Sequence, residues 1–175
     1  RQHMVDLLRD AGYYAGIRGK VTHSSPYQPY DWDEDLTTLE DGSKAHIKDA
    51  KSYGESTARG IANAKKQAKP FFLSVNISDP HKPFWSQVRG GGEDPYKPSR
   101  IFTAEEVPVP GFLFEDEAVR EELALYYSSV RRADDCLNQV LRALKKSGEW
   151  DNTMIIFLSD HGLSLIHISE PTRLT

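Results

Sequence analysis

The chain lacks the features that mark several classes of protein. Cys136 is its only cysteine in 175 residues, which excludes an internal disulfide and leaves the redox compartment open. No apolar run approaches the length of a membrane span, so no membrane partner is predicted. The net charge of −4 gives no basic patch for nucleic acid. Apolar residues at 38% and charged residues at 27% are typical of a globular domain with its own core.

The two ends of the chain indicate that it is part of something longer. It begins at Arg1 instead of an initiator Met and enters a helical pattern at once, so we interpret residues 1–162 as an internal fragment. The segment from Leu163 to Arg173 reads like the translation of a transposon-based sequencing adapter. We therefore expect residues 163–175 to be non-native and exclude them, including His167, from reasoning about the fold.

The most informative stretch is the apolar run Met154–Leu158, which predicts a strand buried on both faces of a parallel sheet. It ends abruptly in Ser159, Asp160, His161 and a glycine. Ligands bind beyond the carboxyl ends of strands in open α/β sheets, and carboxylate oxygen beside imidazole suits a divalent cation. The alternative is that Asp160 caps the next element and His161 is an exposed loop residue.

Two earlier strands end in the same way. Tyr13–Ile17 leads to Lys20 and His23, and Phe71–Ile77 leads to His81. The patterns that precede these strands and the final run are helical, and they cover Met4–Ala11, Glu55–Lys69 and Glu117–Lys146. This order predicts a three-layer α/β/α sandwich with a mainly parallel sheet, whose strand ends share one edge. The alternative to a shared site at this edge is that Lys20 is a surface lysine, His23 is a turn residue and His81 only shapes its loop.

The connecting segments carry weaker predictions. Residues 24–54 read as irregular, with the acidic run from Asp31 to Asp35 as a solvated loop rather than a calcium site, and with His46 and its neighbouring lysines on the surface. Phe84–Phe114 is a long loop of the kind that forms a lid or substrate wall, or is disordered. In the last helix, Cys136 is predicted to be buried structural filler, and Asp134 or Asp135 to face solvent or bond a partner.

These pieces together resemble the sulfatase family of the alkaline-phosphatase superfamily. The resemblance rests on Leu-Arg-Asp-Ala-Gly-Tyr, then Gly-Lys-x-x-His from Gly19 to His23, then Asp-Pro-His-Lys-Pro around His81. It continues with Tyr-Tyr-Ser-Ser-Val-Arg-Arg-Ala-Asp-Asp, a helix, and Ser-Asp-His-Gly. Within the family the chain is most similar to the iduronate-2-sulfatase and heparan N-sulfatase types.

The resemblance implies a role for each matching residue. Asp160 and His161 would ligate a calcium ion, and Lys20 would contact the sulfate and the nucleophile. His23 would assist the nucleophile's second oxygen, and His81 would contact the sulfate and protonate the leaving group. The implied partner is a sulfated small molecule or glycan. The family's habit is periplasmic, secreted or lysosomal, and the oligomeric state stays open.

The same resemblance exposes what residues 1–162 do not contain. Sulfatases use a formylglycine made in a Cys/Ser-x-Pro/Ala-x-Arg motif, which is absent there, and Cys136 is followed by the wrong residues. The paired acidic metal ligands and a later site lysine are also missing. We therefore expect the parent to be a sulfatase and this chain itself to be inactive. Alternatives are a phosphonate or phosphodiester hydrolase of the same superfamily, or a non-catalytic domain that binds sulfated sugars.

Overall fold

A small parallel sheet with helices packed beside it makes up the computed structural model, which describes residues 3–21, 31–88 and 90–159. The elements in chain order are α1 (Met4–Asp10), β1 (Tyr14–Arg18), β2 (Glu34–Asp35), α2 (Ala50–Lys66), β3 (Phe71–Val75) and α3 (Glu117–Ser147). A 3-10 turn at Trp150–Asn152 follows. This confirms the predicted α/β class with a parallel sheet, in an incomplete form. No helix in the described part is long and apolar enough to cross a bilayer.

The sheet has the order β2-β1-β3 and both pairings are parallel. Strands β1 and β3 pair along their whole length, from Tyr14 opposite Phe71 to Arg18 opposite Val75. The central strand β1 is buried at every position. Because the pairing is in register, the carboxyl ends of the two strands stop at the same level, as predicted from the crossover topology.

The acidic run is not the solvated loop that the sequence predicted. Glu34 and Asp35 form β2, and the Asp33 carboxylate accepts a hydrogen bond from the Ala15 N–H at 2.7 Å. The Glu34 carboxylate accepts from Arg59 Nε at 2.7 Å and also from the Tyr14 hydroxyl. Strand β2 pairs with only two residues of β1, and the Asp33 carboxylate satisfies a further backbone N–H on that edge of β1. The charge pattern alone cannot reveal such partners.

Helix α2 covers one face of the sheet and begins earlier than the predicted Glu55. Asp49 caps it by accepting from Lys51 N–H at 3.1 Å. The Tyr53 hydroxyl bonds the backbone oxygens of Ile47 and Asn76, at 2.9 and 3.1 Å. The buried Tyr53 therefore ties the first turn of α2 to the segment that follows β3.

Helix α3 begins at the predicted Glu117, ends at Ser147, one residue beyond the predicted Lys146, and has the predicted caps. Asp116 accepts from the Val119 N–H at 3.0 Å, and Gly148 ends the helix in the left-handed conformation. Cys136 is buried in it, as predicted. Asp135 accepts from the Ser99 N–H at 2.7 Å, which confirms a partner-bonded aspartate in mid-helix.

The long loop lies along α3. Its Val107 packs with Leu123 and Ala124 of the helix in a small apolar cluster. The Phe102 N–H donates to Ser128 Oγ at 3.0 Å. The described part of residues 84–114 is therefore anchored to the helix rather than disordered, and its role as a substrate wall stays a prediction.

The predicted strand Met154–Leu158 is wrong for this structure. These residues belong to no strand and are exposed, with Met154 at 86% and Phe157 at 79% of their full surface. A strand of this type gains its stability from neighbours on both sides and cover on both faces. In the described part of the chain β3 has no partner on its outer edge, and no strand pairs with this run.

Candidate functional site

The ends of β1 and β3 are joined through one residue, Asn76. Its N–H donates to the Arg18 carbonyl at 2.8 Å, and its side-chain amide donates to the Gly19 carbonyl at 3.0 Å. The turn that follows β1 therefore lies directly on the residue that follows β3. Gly19 has φ of 74°, and a Cβ there would stand 2.7 Å from the Asn76 carbonyl oxygen. Only glycine fits this approach.

Lys20 emerges from this turn at the carboxyl end of β1. It also has a positive φ of 49°, and it is exposed. The turn is held from the other side because the Gly19 N–H donates to Thr37 Oγ1 at 2.8 Å. The structure thus presents Lys20 at the rim of the sheet on a backbone fixed by both neighbouring segments.

His81 is presented by the loop after β3, Asp79–Pro83, whose Asp79–Pro80 and Lys82–Pro83 peptide bonds are cis. The imidazole is exposed, and its Nδ1 lies 2.5 Å from the Lys82 carbonyl oxygen. A carbonyl can only accept, so Nδ1 carries the hydrogen. In the neutral ring Nε2 is then the unprotonated nitrogen, and in the charged ring it is a second donor.

The base of this loop is held by buried charges. Asp79 accepts from Arg132 of α3 through Nε at 2.5 Å and Nη2 at 3.3 Å. Lys48 Nζ lies 3.4 Å from Asp79 and donates to the Pro83 carbonyl at 2.5 Å. Lys48 is 8% exposed, so the prediction that it is a surface lysine is wrong, whereas His46 is exposed as expected. The sequence offered no sign of its distant partners.

A second loop shares the same arginine. Arg132 Nη1 donates to Asp94 at 2.6 Å and to the Tyr96 carbonyl at 2.9 Å. Burial acts to lower the pKa of Arg132, but the hydrogen bonds and charges of both aspartates outweigh it and raise that pKa above its ordinary value. Burial acts to raise the pKa of Asp94, and its bond to Arg132 outweighs this and holds the pKa low. Both partners are therefore charged at neutral pH.

Arg18, at the end of β1, is a buried cation that sequence reasoning missed. Its guanidinium lies 4.3 Å from the centre of the Tyr53 ring and donates to Ser52 Oγ at 3.0 Å. Its Nε and Nη1 have no hydrogen-bond partner in the described part of the chain. An arginine inside an otherwise apolar central strand is the signal that could have identified it. Its charge adds positive potential beneath the strand ends.

The predicted site residues divide into two groups. Lys20 and His81 follow the carboxyl ends of adjacent parallel strands. His23, Asp160 and His161 lie outside the described residues, as does the expected non-native tail, residues 163–175. Within residues 3–21, 31–88 and 90–159 no group of three or more His, Cys, Asp or Glu side chains could hold a metal ion. The calcium site and the role of each site residue remain predictions.

The nucleophile is not supplied by the described part of the chain. Cys136 is a buried residue of α3, and burial raises the pKa of its thiol to about 12. Ser-Glu-Pro-Thr-Arg at residues 169–173 does match the letters of the formylglycine motif. It lies outside the described residues, in the tail expected to be non-native, and it follows Lys20 whereas the resemblance places the nucleophile before that lysine.

Comparison with known proteins decides the family. The family model described as Sulfatase matches residues 1–173. The chain belongs to the sulfatase family. Human N-sulphoglucosamine sulphohydrolase is 31% identical over 170 residues, which cover 90% of this chain and 33% of the human protein. The ulvan-active sulfatase of Formosa agariphila is 28% identical over 150 residues, covering 86% of this chain and 24% of that protein.

A third relative has a broader name. The multifunctional alkaline phosphatase superfamily protein PehA of Trinickia caryophylli is 27% identical over 154 residues, covering 66% of this chain and 28% of PehA. The chain thus spans a third or less of the length of these relatives. The resemblance inferred from the motifs is confirmed at the level of the family.

Proposed function

We propose that the complete protein hydrolyses a sulfate ester or an N-sulfate on a sulfated small molecule or glycan. The observation that carries this proposal is the junction at Asn76, which fixes the Lys20 turn and the start of the His81 loop against each other. A cation and an imidazole on one sheet edge suit a tetrahedral oxyanion. Family membership and the names of two relatives, which refer to N-sulphoglucosamine and ulvan, support the substrate class.

The described residues would contribute electrostatic and acid–base catalysis. The Lys20 ammonium would bind a sulfate oxygen and offset the charge that develops there in the transition state. As the bond from sulfur to the leaving atom breaks, that atom gains an electron pair. Charged His81 would donate its Nε2 proton to it and become neutral, with Nδ1–H still bonded to the Lys82 carbonyl. His23 would assist the nucleophile's second oxygen.

The nucleophile and the metal require residues beyond those described. Formylglycine would supply a nucleophilic hydroxyl from its hydrated aldehyde, and no residue between 1 and 162 fits its motif. Asp160 and His161 would hold a calcium ion that stabilises the negative charge of the bound sulfate. Asp160 supplies the oxygen donor that this hard cation prefers. A nitrogen donor from His161 is the less suitable member of that pair.

The proposal is tested in the complete protein with a sulfated aryl ester and an N-sulfated disaccharide. We expect Lys20→Met and His81→Gln each to lower kcat/KM by on the order of 10²–10⁴-fold. Lys69→Met and His46→Gln are matched controls, because both residues are exposed and lie outside the two loops, and they should retain activity. Full activity in the Lys20 and His81 variants, or no sulfate release by the wild type, would refute the proposal.

The similarity to PehA favours a second candidate, a phosphodiester or phosphonate hydrolase. Lys20 and His81 could serve either anion, since both are tetrahedral and negatively charged. The two functions are separated by kcat/KM for a sulfate monoester and a phosphate diester that share one leaving group. A preference for the sulfate supports the first proposal, and a preference for the diester supports the second.

A further inference from the structure

We infer that Arg132 is a positioning residue for His81, acting through Asp79. Arg132 is 1% exposed and projects from the middle of α3, a helix that is capped at both ends. Its fork binds both carboxylate oxygens of Asp79, at 2.5 and 3.3 Å. A planar, two-point contact fixes orientation as well as distance. Asp79 opens the loop that carries His81, so the helix sets where that loop leaves the sheet.

Lys48 closes the loop from its other end. Its ammonium reaches both Asp79, at 3.4 Å, and the carbonyl of Pro83, at 2.5 Å. The two ends of the segment are therefore tied to one cation. Two further bonds join this part of the chain to α3. Lys82 pairs with Glu122 at 2.6 Å, and the backbone N–H of Trp85 donates to Ser129 Oγ at 2.7 Å. Within the described part of the chain, the hydrogen bonds that join this segment to α3 do not involve His81 itself.

The exposed His81 imidazole is therefore carried by a loop whose two ends are bonded to Arg132 and Lys48, and we call these bonded loop ends the frame. Among the described residues, the hydrogen bonds of His81 go to neighbours in sequence: its backbone N–H donates to the Ser78 carbonyl at 3.0 Å, and its Nδ1 donates to the Lys82 carbonyl. The second contact determines which ring nitrogen carries the hydrogen, and it depends on how the frame aims the Lys82 carbonyl. Buried charged groups contribute little net stability compared with apolar packing, so a defined loop geometry is the better explanation for this cluster.

Asp94 provides a matched comparison. It binds the same guanidinium as Asp79, at 2.6 Å, and its side chain is 9% exposed against 1% for Asp79. It begins a different segment, the one that leads to Tyr96. Loss of either carboxylate removes one partner of Arg132, but only the Asp79 bond lies next to His81. A purely structural role predicts a loss of stability in either variant with the His81 ring form unchanged, and a positioning role predicts a changed ring form when Asp79 is lost but not when Asp94 is.

The experiment uses the complete protein, labelled with nitrogen-15 at histidine, with the His81 signal assigned from His81→Gln. Long-range proton–nitrogen spectra report which ring nitrogen carries the hydrogen. At a pH where the ring is neutral, we expect the Nδ1–H form in the wild type, in Asp94→Asn and in Arg131→Gln. We expect a mixture of both forms in Asp79→Asn and Arg132→Lys. This readout needs no substrate, so it stands even if the sulfatase proposal, on which the catalytic part rests, fails.

The second readout is kinetic. With the proposed activity in hand, Asp79→Asn and Arg132→Lys should lower kcat by on the order of 10²-fold with little change in KM, as misplacement of a catalytic group does. Asp94→Asn should change kcat several-fold less. Arg132→Lys keeps the charge and loses the fork, so it guards against variants that fail to fold. Folded Asp79→Asn and Arg132→Lys proteins with the wild-type ring form and kcat would overturn the inference.

Discussion

The loop that follows β3 and the apolar run Met154–Leu158 behave in opposite ways. The Asp79–Pro83 loop is polar and rich in proline, yet its base is buried and bonded to α3. The run Met154–Leu158 is the most apolar stretch of the chain, yet it is exposed and unpaired. The comparison shows that the presence of bonding partners, rather than hydrophobicity, decides which of the two segments is buried. The loop has its partners within the described chain, and the run lacks them.

Removal of Arg132 is the strongest way to break the comparison. Arg132→Met would leave Asp79 and Asp94 buried without their main cation, so we expect a loss of about 3–5 kcal/mol in the free energy of unfolding. Arg131→Gln is the control, because Arg131 sits beside it with a side chain that is 42% exposed and should cost at most about 1 kcal/mol. Urea denaturation of both variants measures the difference. Equal midpoints would contradict the assigned role of the buried pair.

The junction of the strand ends gives the next largest effect. Gly19→Ala would place a methyl 2.7 Å from the Asn76 carbonyl oxygen at a φ of 74°, so we expect a cost of about 1–3 kcal/mol. Gly12→Ala has a similar φ of 89° but meets nothing within 4 Å, and should cost about 1 kcal/mol. Thermal unfolding of the pair separates backbone strain from the clash. A smaller cost at Gly19 than at Gly12 would argue against the junction.

Acid should weaken the buried charge cluster of Arg132, Asp79 and Asp94 by protonating Asp94. Its pKa is lower in the folded protein than in the unfolded chain, so the unfolded chain takes up the proton first as pH falls. The stability that Asp94 contributes is therefore complete above about pH 4 and is lost as pH falls through its lowered folded pKa. Asp94→Asn should flatten this part of the stability curve, measured by urea midpoints from pH 6 to pH 2. An unchanged acid slope would contradict the Asp94 assignment.

The exposed run should have the smallest effect on stability and the clearest effect on solubility. Ile156→Lys and Phe157→Lys should change the free energy of unfolding by less than about 0.5 kcal/mol, since both side chains are exposed. They should raise the soluble fraction of the chain expressed alone, because they interrupt an exposed run of apolar side chains. A wild-type chain that is already monomeric with a sharp melt would remove the basis for this expectation.

Local signals predicted much of the fold. Helix α3, its Asp116 cap and its Gly148 end follow from periodicity and capping residues, and β1 and β3 from short apolar runs. Such features depend on neighbours in sequence. The short strand β2 was missed because its carboxylates act on β1 and α2, and a charge run gives no hint of that.

The candidate site was predictable only in its exposed members. Lys20 and His81 come shortly after adjacent parallel strands, so topology alone predicts that both lie near one edge of the sheet. Arg132 and Lys48 were not singled out, because their roles come from Asp79, which is distant from both in sequence. Met154–Leu158 shows the converse error. An apolar run indicates that a strand would be stabilised by burial, but it does not indicate whether neighbouring strands are present to bury it.

The central claim is that Lys20 and His81 serve one tetrahedral anion at the shared end of β1 and β3. A crystal structure of the complete protein with bound sulfate tests it most directly. We predict sulfate oxygens within about 2.7–3.2 Å of both Lys20 Nζ and His81 Nε2. Sulfate bound away from this edge, or the two side chains on opposite sides of the sheet, would contradict the claim.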